Sequence, residues 1–239
     1  MVISKDGTTI AVDRVGDGPA VVCVGGALND RHATGWVAAE LTGFTVHSYD
    51  RRGRGDSGDT PPYSVDREIE DLASVVEHAG GEAAVYGMSS GAILALRAAL
   101  AGVPITRLAL YEPPFTATVA PDYAERLAAA TPAEALELFL DSIGVPLETV
   151  TPYWDAMVAL APTLRYDAAV VGDATIPPVD TLTIPVTVLV GGASPEWMRR
   201  AGRTLAVALP SGAVTELPNQ THNVDPQALA KALTSAFTE

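Results

Sequence analysis

Residues 82–100, EAAVYGMSSGAILALRAAL, constrain the fold more than any other stretch of the chain. EAAVYGM is a short apolar run of the kind that forms a buried strand, and the segment from Ser90 onward is built from strong helix formers. The chain must turn between the two within a few residues, across Gly87-Met88-Ser89-Ser90-Gly91. That is G-x-S-x-G placed between a strand and a helix, an arrangement that lifts the central serine to the apex of a strained turn. Glycine is needed at 87 and 91 because side chains there would collide in so sharp a bend. Ser89 then presents its hydroxyl. Ser90, at the start of the helix, offers its backbone N–H to negative charge developing beside Ser89. A serine hydroxyl is a weak nucleophile until a base takes its proton, so the rest of the chain has to supply that base.

The same alternation runs through most of the sequence. VISKDGTTIAVDRV reads as a hairpin about Asp6-Gly7, and PAVVCVGG and FTVHSYD read as strands. SVDREIEDLASVVEHAGG is a helix with Val65, Ile69, Leu72 and Val76 on one face, Ser64 as N-cap and Gly80 as its stop. ITRLALYE is a strand closed by Pro113-Pro114. From 113 to 180 the pattern changes to Pro-punctuated helices with no convincing strand. It then resumes, with strands at PVTVLVGG and AVTELP and helices at PEWMRRAGRTLAVALP and DPQALAKALTSAF. Alternating strands and helices predict an α/β fold, a mostly parallel central sheet with helices on both faces. The core would comprise 1–112 and 181–239. Residues 113–180 would form a helical cap inserted at the carboxyl edge of the sheet, where such folds bind ligands.

At 239 residues, 48% of them hydrophobic, the chain fits one domain with a modest insertion. Its formal net charge of −14 argues against nucleic acid and anionic membrane surfaces as partners. No apolar run is long enough to span a bilayer, and the N-terminus carries no apolar signal core. The one cysteine, Cys23, lies in an apolar run and reads as a buried core residue in a reducing compartment. The resulting expectation is a cytoplasmic monomer or homodimer acting on a small-molecule substrate. No cofactor is expected, and no metal, since no His, Cys or Asp cluster has ligand spacing.

VGGALNDR, SYDRRGRGDSG, YGMSSG, PVTVLVGGAS and QTHNV follow one another in an order that resembles the α/β-hydrolase fold family, as a serine hydrolase with a helical cap. The resemblance covers essentially the whole chain and implies a catalytic base near its end. Of the four histidines, His222 in LPNQTHNVDP occupies that place. His47 falls within a strand and reads as core, His78 as a solvated residue near a helix end, and His32 as too early for the base. The loop Gly25-Gly26-Ala27-Leu28 should supply the second oxyanion donor, with the Ala27 N–H as the candidate; many relatives carry His-Gly where this chain has Gly25-Gly26. The third member departs further. Where many relatives carry an Asp after the strand PVTVLVGG, this chain has Ser194, which brings no charge. Glu112 is the favoured substitute, held extended by Pro113 at the end of its strand. Glu196 and the absence of any acid are the alternatives. Asp50, with the RRGRG turn, reads as structural. Asn29, Asp30 and Arg31 lie near the pocket mouth with no role assigned.

The cap brings Phe115, Tyr123, Phe139, Tyr153, Trp154, Met157 and Tyr166. Most of these are expected in its core, and a few in an apolar pocket wall. Gly26, Leu28, Met88 and Trp154 are the candidate substrate contacts. The expected reaction is cleavage of a small, largely apolar ester, lactone or thioester through an acyl-Ser89 intermediate. Fold does not fix function. Carbon–carbon cleavage, peroxyacid formation, a biosynthetic ring rearrangement, a small-molecule receptor and a purely structural role all stay open on the sequence.

Overall fold

The structure, a computed structural model, describes residues 1–238. Strands β1 (Val2–Ile3) and β2 (Thr9–Ile10) form the small antiparallel pair expected about Asp6-Gly7. The main sheet holds β3 (Val12–Gly16), β4 (Ala20–Val24), β5 (Thr45–Tyr49), β6 (Ala83–Met88), β7 (Ile105–Tyr111), β8 (Val186–Gly191) and β9 (Gly212–Leu217). Its spatial order is β3-β5-β4-β6-β7-β8-β9; β3 runs antiparallel to β5, and the other pairings are parallel.

The inner strands β4 to β8 are buried on both faces because both faces are covered, whereas the edge strands β3 and β9 are largely exposed. Along β4, Val22 and Val24 join one cluster while Val21 and Cys23 join the other. The first cluster takes Leu72, Val75 and Val76 from α2 (Val65–His78), Ala92 to Leu96 and Ala98 from α3 (Ser90–Leu100), and Leu205 from α9 (Glu196–Ala208). The second takes Val37 and Ala38 from α1 (Arg31–Glu40), and Leu229, Leu233 and Phe237 from α10 (Pro226–Thr238). Full burial of each such Val, Leu or Phe is worth about 1.5–3 kcal/mol. The Cys23 thiol is buried in the second cluster, which pushes its pKa up to about 12.

Local signals match the observed ends. The Ser64 hydroxyl accepts from the Arg67 N–H at the start of α2, and Gly80, just past its end, has φ of +129°. Helix α1 is the element that the sequence concealed. Gly35, a weak helix former, lies within it, Trp36 points to solvent, and only Thr34, Val37 and Ala38 are buried, too few for a clear helical stripe.

Between β7 and β8 lie α4 (Tyr123–Ala129), α5 (Pro132–Ser142), α6 (Leu147–Val150), α7 (Trp154–Leu160) and α8 (Leu164–Val171), joined by two short 3₁₀ turns. They form an apolar cluster of their own around Leu127, Leu136, Leu140 and Leu164. Two tyrosines tie this segment to the core: Tyr63 and Tyr166 stack with ring centres 3.8 Å apart, and the Tyr166 hydroxyl donates to Asp59 at 2.6 Å. Tyr123, Phe139, Trp154 and Met157 pack against the apolar cluster of this segment as expected, whereas Phe115 is buried in the first cluster of the sheet and Tyr153 lies on the surface. No helix among the described residues is long and apolar enough to cross a membrane.

Candidate active site

The chain leaves β4 through α1 toward β5, and leaves β6 through α3 toward β7 on the opposite side. The crevice between the carboxyl ends of β4 and β6 is therefore the topological switch point of the sheet. The loop after β4 carries Gly25 to Asn29, and the turn after β6 carries Ser89. A Cβ built on Gly26 would lie 3.0 Å from both the Ser89 Cβ and the Met88 carbonyl, so the two loops are in direct contact.

Ser89 has φ of 55° and ψ of −123°, a backbone state that costs a non-glycine residue on the order of 1–2 kcal/mol. Its N–H donates to the Tyr111 carbonyl on β7 at 2.9 Å, and its side chain makes no capping bond to α3. The flanking glycines are sterically required. A Cβ at Gly87 would meet the Gly91 carbonyl oxygen at 2.6 Å, and one at Gly91 would meet the Val24 and Gly25 carbonyl oxygens at 2.5 Å.

Register places the next groups. Met88 pairs with Tyr111, and Tyr111 with Leu189, so the turn at Ser89, residue Glu112 and the end of β8 are neighbours along one sheet edge. Glu112 is buried, with a φ of +45°, not the extended conformation expected before Pro113. The tertiary contacts override the local preference: its N–H bonds Leu189 O at 3.0 Å, and its Oε1 accepts from the Gly191 N–H at 2.8 Å. Its Oε2 lies 2.7 Å from His222 Nδ1. Burial alone would raise the Glu112 pKa; the His222 bond, the Ser194 side chain and the Gly191 N–H outweigh it and hold the carboxyl below its ordinary value. Ser194 contributes by proximity, since its buried hydroxyl forms no hydrogen bond of ordinary geometry. An ionised carboxylate only accepts, so Nδ1 must carry the imidazole proton, and Nε2 is left as the basic nitrogen. The His222 side chain is 37% exposed, in the loop after β9. No hydrogen bond joins its ring to the Ser89 hydroxyl in this structure.

The remaining candidates separate cleanly. Glu196 sits on the surface, paired with Arg199 and Arg203 at 2.7 and 2.6 Å. His47 is buried and His78 exposed, their rings edge-to-face at 5.9 Å; His32 is exposed on α1. Asp50 is structural, accepting from the N–H groups of Arg31 and Asp56 and pairing with the Arg31 guanidinium. Ala27, Leu28 and Trp154 are partly buried against the apolar cluster of the β7–β8 segment, whereas Met88 packs on the α1/α10 side of the sheet. Among the described residues no His, Cys, Asp and Glu cluster is arranged to hold a metal ion. A hollow of about 120 Å³ beside Leu127 and Arg165, and an open groove of about 640 Å³ between β1 and α2, both lie away from Ser89, Glu112 and His222.

Sequence reasoning missed one cluster beside the crevice. The Ser90 hydroxyl donates to Asp167 of α8 at 2.7 Å, and Asp167 is clamped by Arg51 and Arg54 at 2.7 Å each. Arg51 also holds Glu68 through two bonds of 2.6 and 2.7 Å. Nothing about Asp167 in the run PTLRYDAAVV marks it as a partner of Ser90, because the two meet only through the fold.

A model of the alpha/beta hydrolase family matches residues 21–232, nearly the whole sheet and the crevice with it. The chain belongs to that family. An alpha/beta hydrolase from Sphaerobacter thermophilus DSM 20745 is 48% identical, with all of both chains covered and a TM-score of 0.94. A hydrolase from Pseudomonas aeruginosa PA01 is 24% identical, with a TM-score of 0.81 over 100% of this chain and 98% of that one. A thermophilic esterase from Thermogutta terrifontis is 23% identical, with a TM-score of 0.78 over 98% of this chain and 96% of that one. No curated protein matches the chain. This alpha/beta hydrolase has the mostly parallel sheet, flanking helices and sharp turn after β6 that its sequence led one to expect.

Proposed function

We propose that this alpha/beta hydrolase is a serine hydrolase that cleaves a small, largely apolar ester, lactone or thioester through an acyl-Ser89 intermediate. The observation that carries the reading is the 2.7 Å bond between His222 Nδ1 and a fully buried Glu112 carboxylate, at the sheet edge where Ser89 is held in its strained turn. A buried acid that orients an imidazole is the arrangement a serine nucleophile needs. Structures of esterases and of bromoperoxidases share this fold at 16–23% identity, so the fold by itself leaves the chemistry open.

In the proposed cycle His222 Nε2 takes the Ser89 proton as Oγ attacks the substrate carbonyl. The oxyanion is held by the N–H groups of Ala27 and Ser90. The tetrahedral species collapses, and the imidazolium returns its proton to the leaving alcohol or thiol. Water then repeats the sequence on the acyl-enzyme. Glu112 stays ionised throughout and stabilises the imidazolium. The core comprises 1–112 and 181–239. The helical segment 113–180 is the cap, and Leu28 and Trp154 form part of the apolar wall beneath it.

The test is fluorophosphonate labelling read by intact mass, together with turnover of p-nitrophenyl butyrate. Wild type should gain one adduct and hydrolyse the ester. Ser89→Ala should do neither, and His222→Ala should label slowly and lose about 10⁴-fold or more in kcat. Labelling of Ser89→Ala at the wild-type rate would end the proposal.

A further inference from the structure

We infer that the buried Arg54–Asp167 pair is a positioning device for the oxyanion hole, aligning the Ala27 N–H through the Gly26 carbonyl and Ser90 through its hydroxyl. The inference rests on the hydrolase reading above and assigns residues of the RRGRG turn and the cap to that same site.

Ala27 comes first. Within a planar trans peptide the C=O and the N–H point in opposite directions, so fixing one fixes the other. Arg54 Nη1 donates to the Gly26 carbonyl at 2.5 Å, and the Asn29 N–H adds a weaker bond at 3.3 Å. The Ala27 N–H belongs to that same peptide and is therefore turned away from Arg54. The preceding peptide is already engaged: the Gly26 N–H donates to Asn29 Oδ1 at 3.1 Å, while its partner carbonyl, Gly25 O, accepts from Arg51 Nη1 at 3.4 Å. Gly26 is thus excluded as a donor, and Ala27 is left.

Ser90 is held from the other side. Its hydroxyl donates to Asp167 Oδ1 at 2.7 Å and lies 3.4 Å from Arg51 Nη1. Asp167 takes Arg51 on one carboxylate oxygen and Arg54 on the other. One guanidinium, Arg54, is thereby bound both to the peptide that aims one donor and to the carboxylate that anchors the other. Asp167 sits on α8, so the cap itself is part of the clamp. Both side chains are almost wholly buried, at 0% and 6% exposure, and water does not compete for these bonds.

Arg52 supplies the control. It is as buried as Arg54 and pairs with Asp71 through two 2.7 Å bonds, but its partners lie on α2 and at Asp6, away from the crevice. Arg54→Lys, Asp167→Asn, Ser90→Ala and Arg52→Lys are to be compared for kcat and KM on p-nitrophenyl butyrate, fluorophosphonate labelling rate, and Tm. Loss of a whole oxyanion donor costs about 10²–10³-fold in kcat. Misalignment through Arg54→Lys or Asp167→Asn should cost about 10–100-fold, and Ser90→Ala, which keeps its N–H, about 3–10-fold. KM should stay within about two-fold, because the ground-state carbonyl gains little from the hole. Labelling rates should fall in step with kcat. Arg52→Lys should lower Tm and leave kcat unchanged. Equal kcat in Arg54→Lys and Arg52→Lys at comparable Tm would overturn the inference, as would KM rising in place of kcat falling. If Asp167→Asn yields no folded protein, Arg54→Lys and Ser90→Ala decide. Wild type that neither hydrolyses nor labels would sink the hydrolase reading and this inference together. Active wild type with unaltered variants would sink the inference alone.

Discussion

Glu112 and Asp167 are both carboxylates shut away from water, and the fold gives them opposite kinds of partner. Glu112 faces one imidazole, in a loop and 37% exposed, which the proposed cycle charges and discharges. Asp167 faces two buried guanidiniums that never give up their protons. In both, charge partners outweigh burial and the pKa is lowered: His222 leads for Glu112, Arg54 and then Arg51 for Asp167. The contrast separates a carboxylate that serves a change of charge from one that prevents any. In the proposed cycle the imidazole of the first pair carries the Ser89 proton while Glu112 stays ionised beside it. The second pair can only hold geometry.

The largest effect should come from breaking the first pair. Glu112→Gln keeps the size of the side chain and removes its charge, so the His222 tautomer is no longer fixed and the imidazolium loses its counter-ion. The expected result is a fall in kcat of about 10³–10⁴-fold with KM little changed. Stability should drop by only about 1–2 kcal/mol, because one buried hydrogen bond is weakened and no cavity forms. Steady-state kinetics and urea denaturation on the same preparation check both halves.

The second pair should respond the other way round. Arg51→Met removes the cation shared by Glu68 and Asp167 and leaves buried negative charge short of partners. Breaking one side of such a cluster costs about 3–5 kcal/mol of stability. Thermal or urea unfolding should show that loss. A stability change below that of Glu112→Gln would mean that the cluster is far better solvated than its burial indicates.

How much of this contrast the sequence revealed depends on the range of the interactions involved. The turn at Ser89 was legible because its sequence signals are local, two glycines with a strand before and a helix after, although Val24, Gly25 and Tyr111 also hold it from the ends of β4 and β7. His222 was legible through its place in the family pattern. Glu112 emerged as a substitute because Ser194 left the usual position without charge, yet its backbone conformation was misjudged, since Leu189 and Gly191 impose it from a neighbouring strand. Asp167 was not legible at all. It stands 77 residues from Ser90 and 116 from Arg51, and no spacing rule joins α8 to a turn after β5. Helix α1 was hidden for another reason, a buried face too narrow to give a period.

Acid sharpens the comparison further. Both carboxylates have depressed pKa values in the folded state, so on acidification the unfolded chain takes up protons first, near the ordinary carboxylate value of about 4. Their stabilisation is fully present above that value and is lost as pH falls through the folded-state pKa values. Stability should therefore be level with respect to these groups from neutral pH to about 5 and decline below it. Asp167→Asn, less stable at neutral pH, should lose stability less steeply with acid than wild type, and Tm measured between about pH 3 and 7 reports the two slopes. Parallel curves would show that Asp167 is not among the groups that drive acid unfolding.

A third carboxylate calibrates the other two. Glu196 begins α9 in the part of the chain where family members often place their acid, and its side chain is 57% exposed. It pairs with Arg199 and Arg203 on its own helix, and exposed pairs of this kind are worth about 0–1 kcal/mol because water screens them and the long side chains lose entropy in meeting. Glu196→Gln should leave kcat and KM within about two-fold of wild type and shift stability by no more than about 0.5 kcal/mol. The same amide substitution at Glu112 is expected to remove nearly all turnover, so the ratio between the two variants measures what burial and a single imidazole partner confer on a carboxylate. A Glu196→Gln enzyme crippled in kcat, beside an unaffected Glu112→Gln, would move the acid to α9 and require His222 to swing toward that helix before Ser89 could be activated.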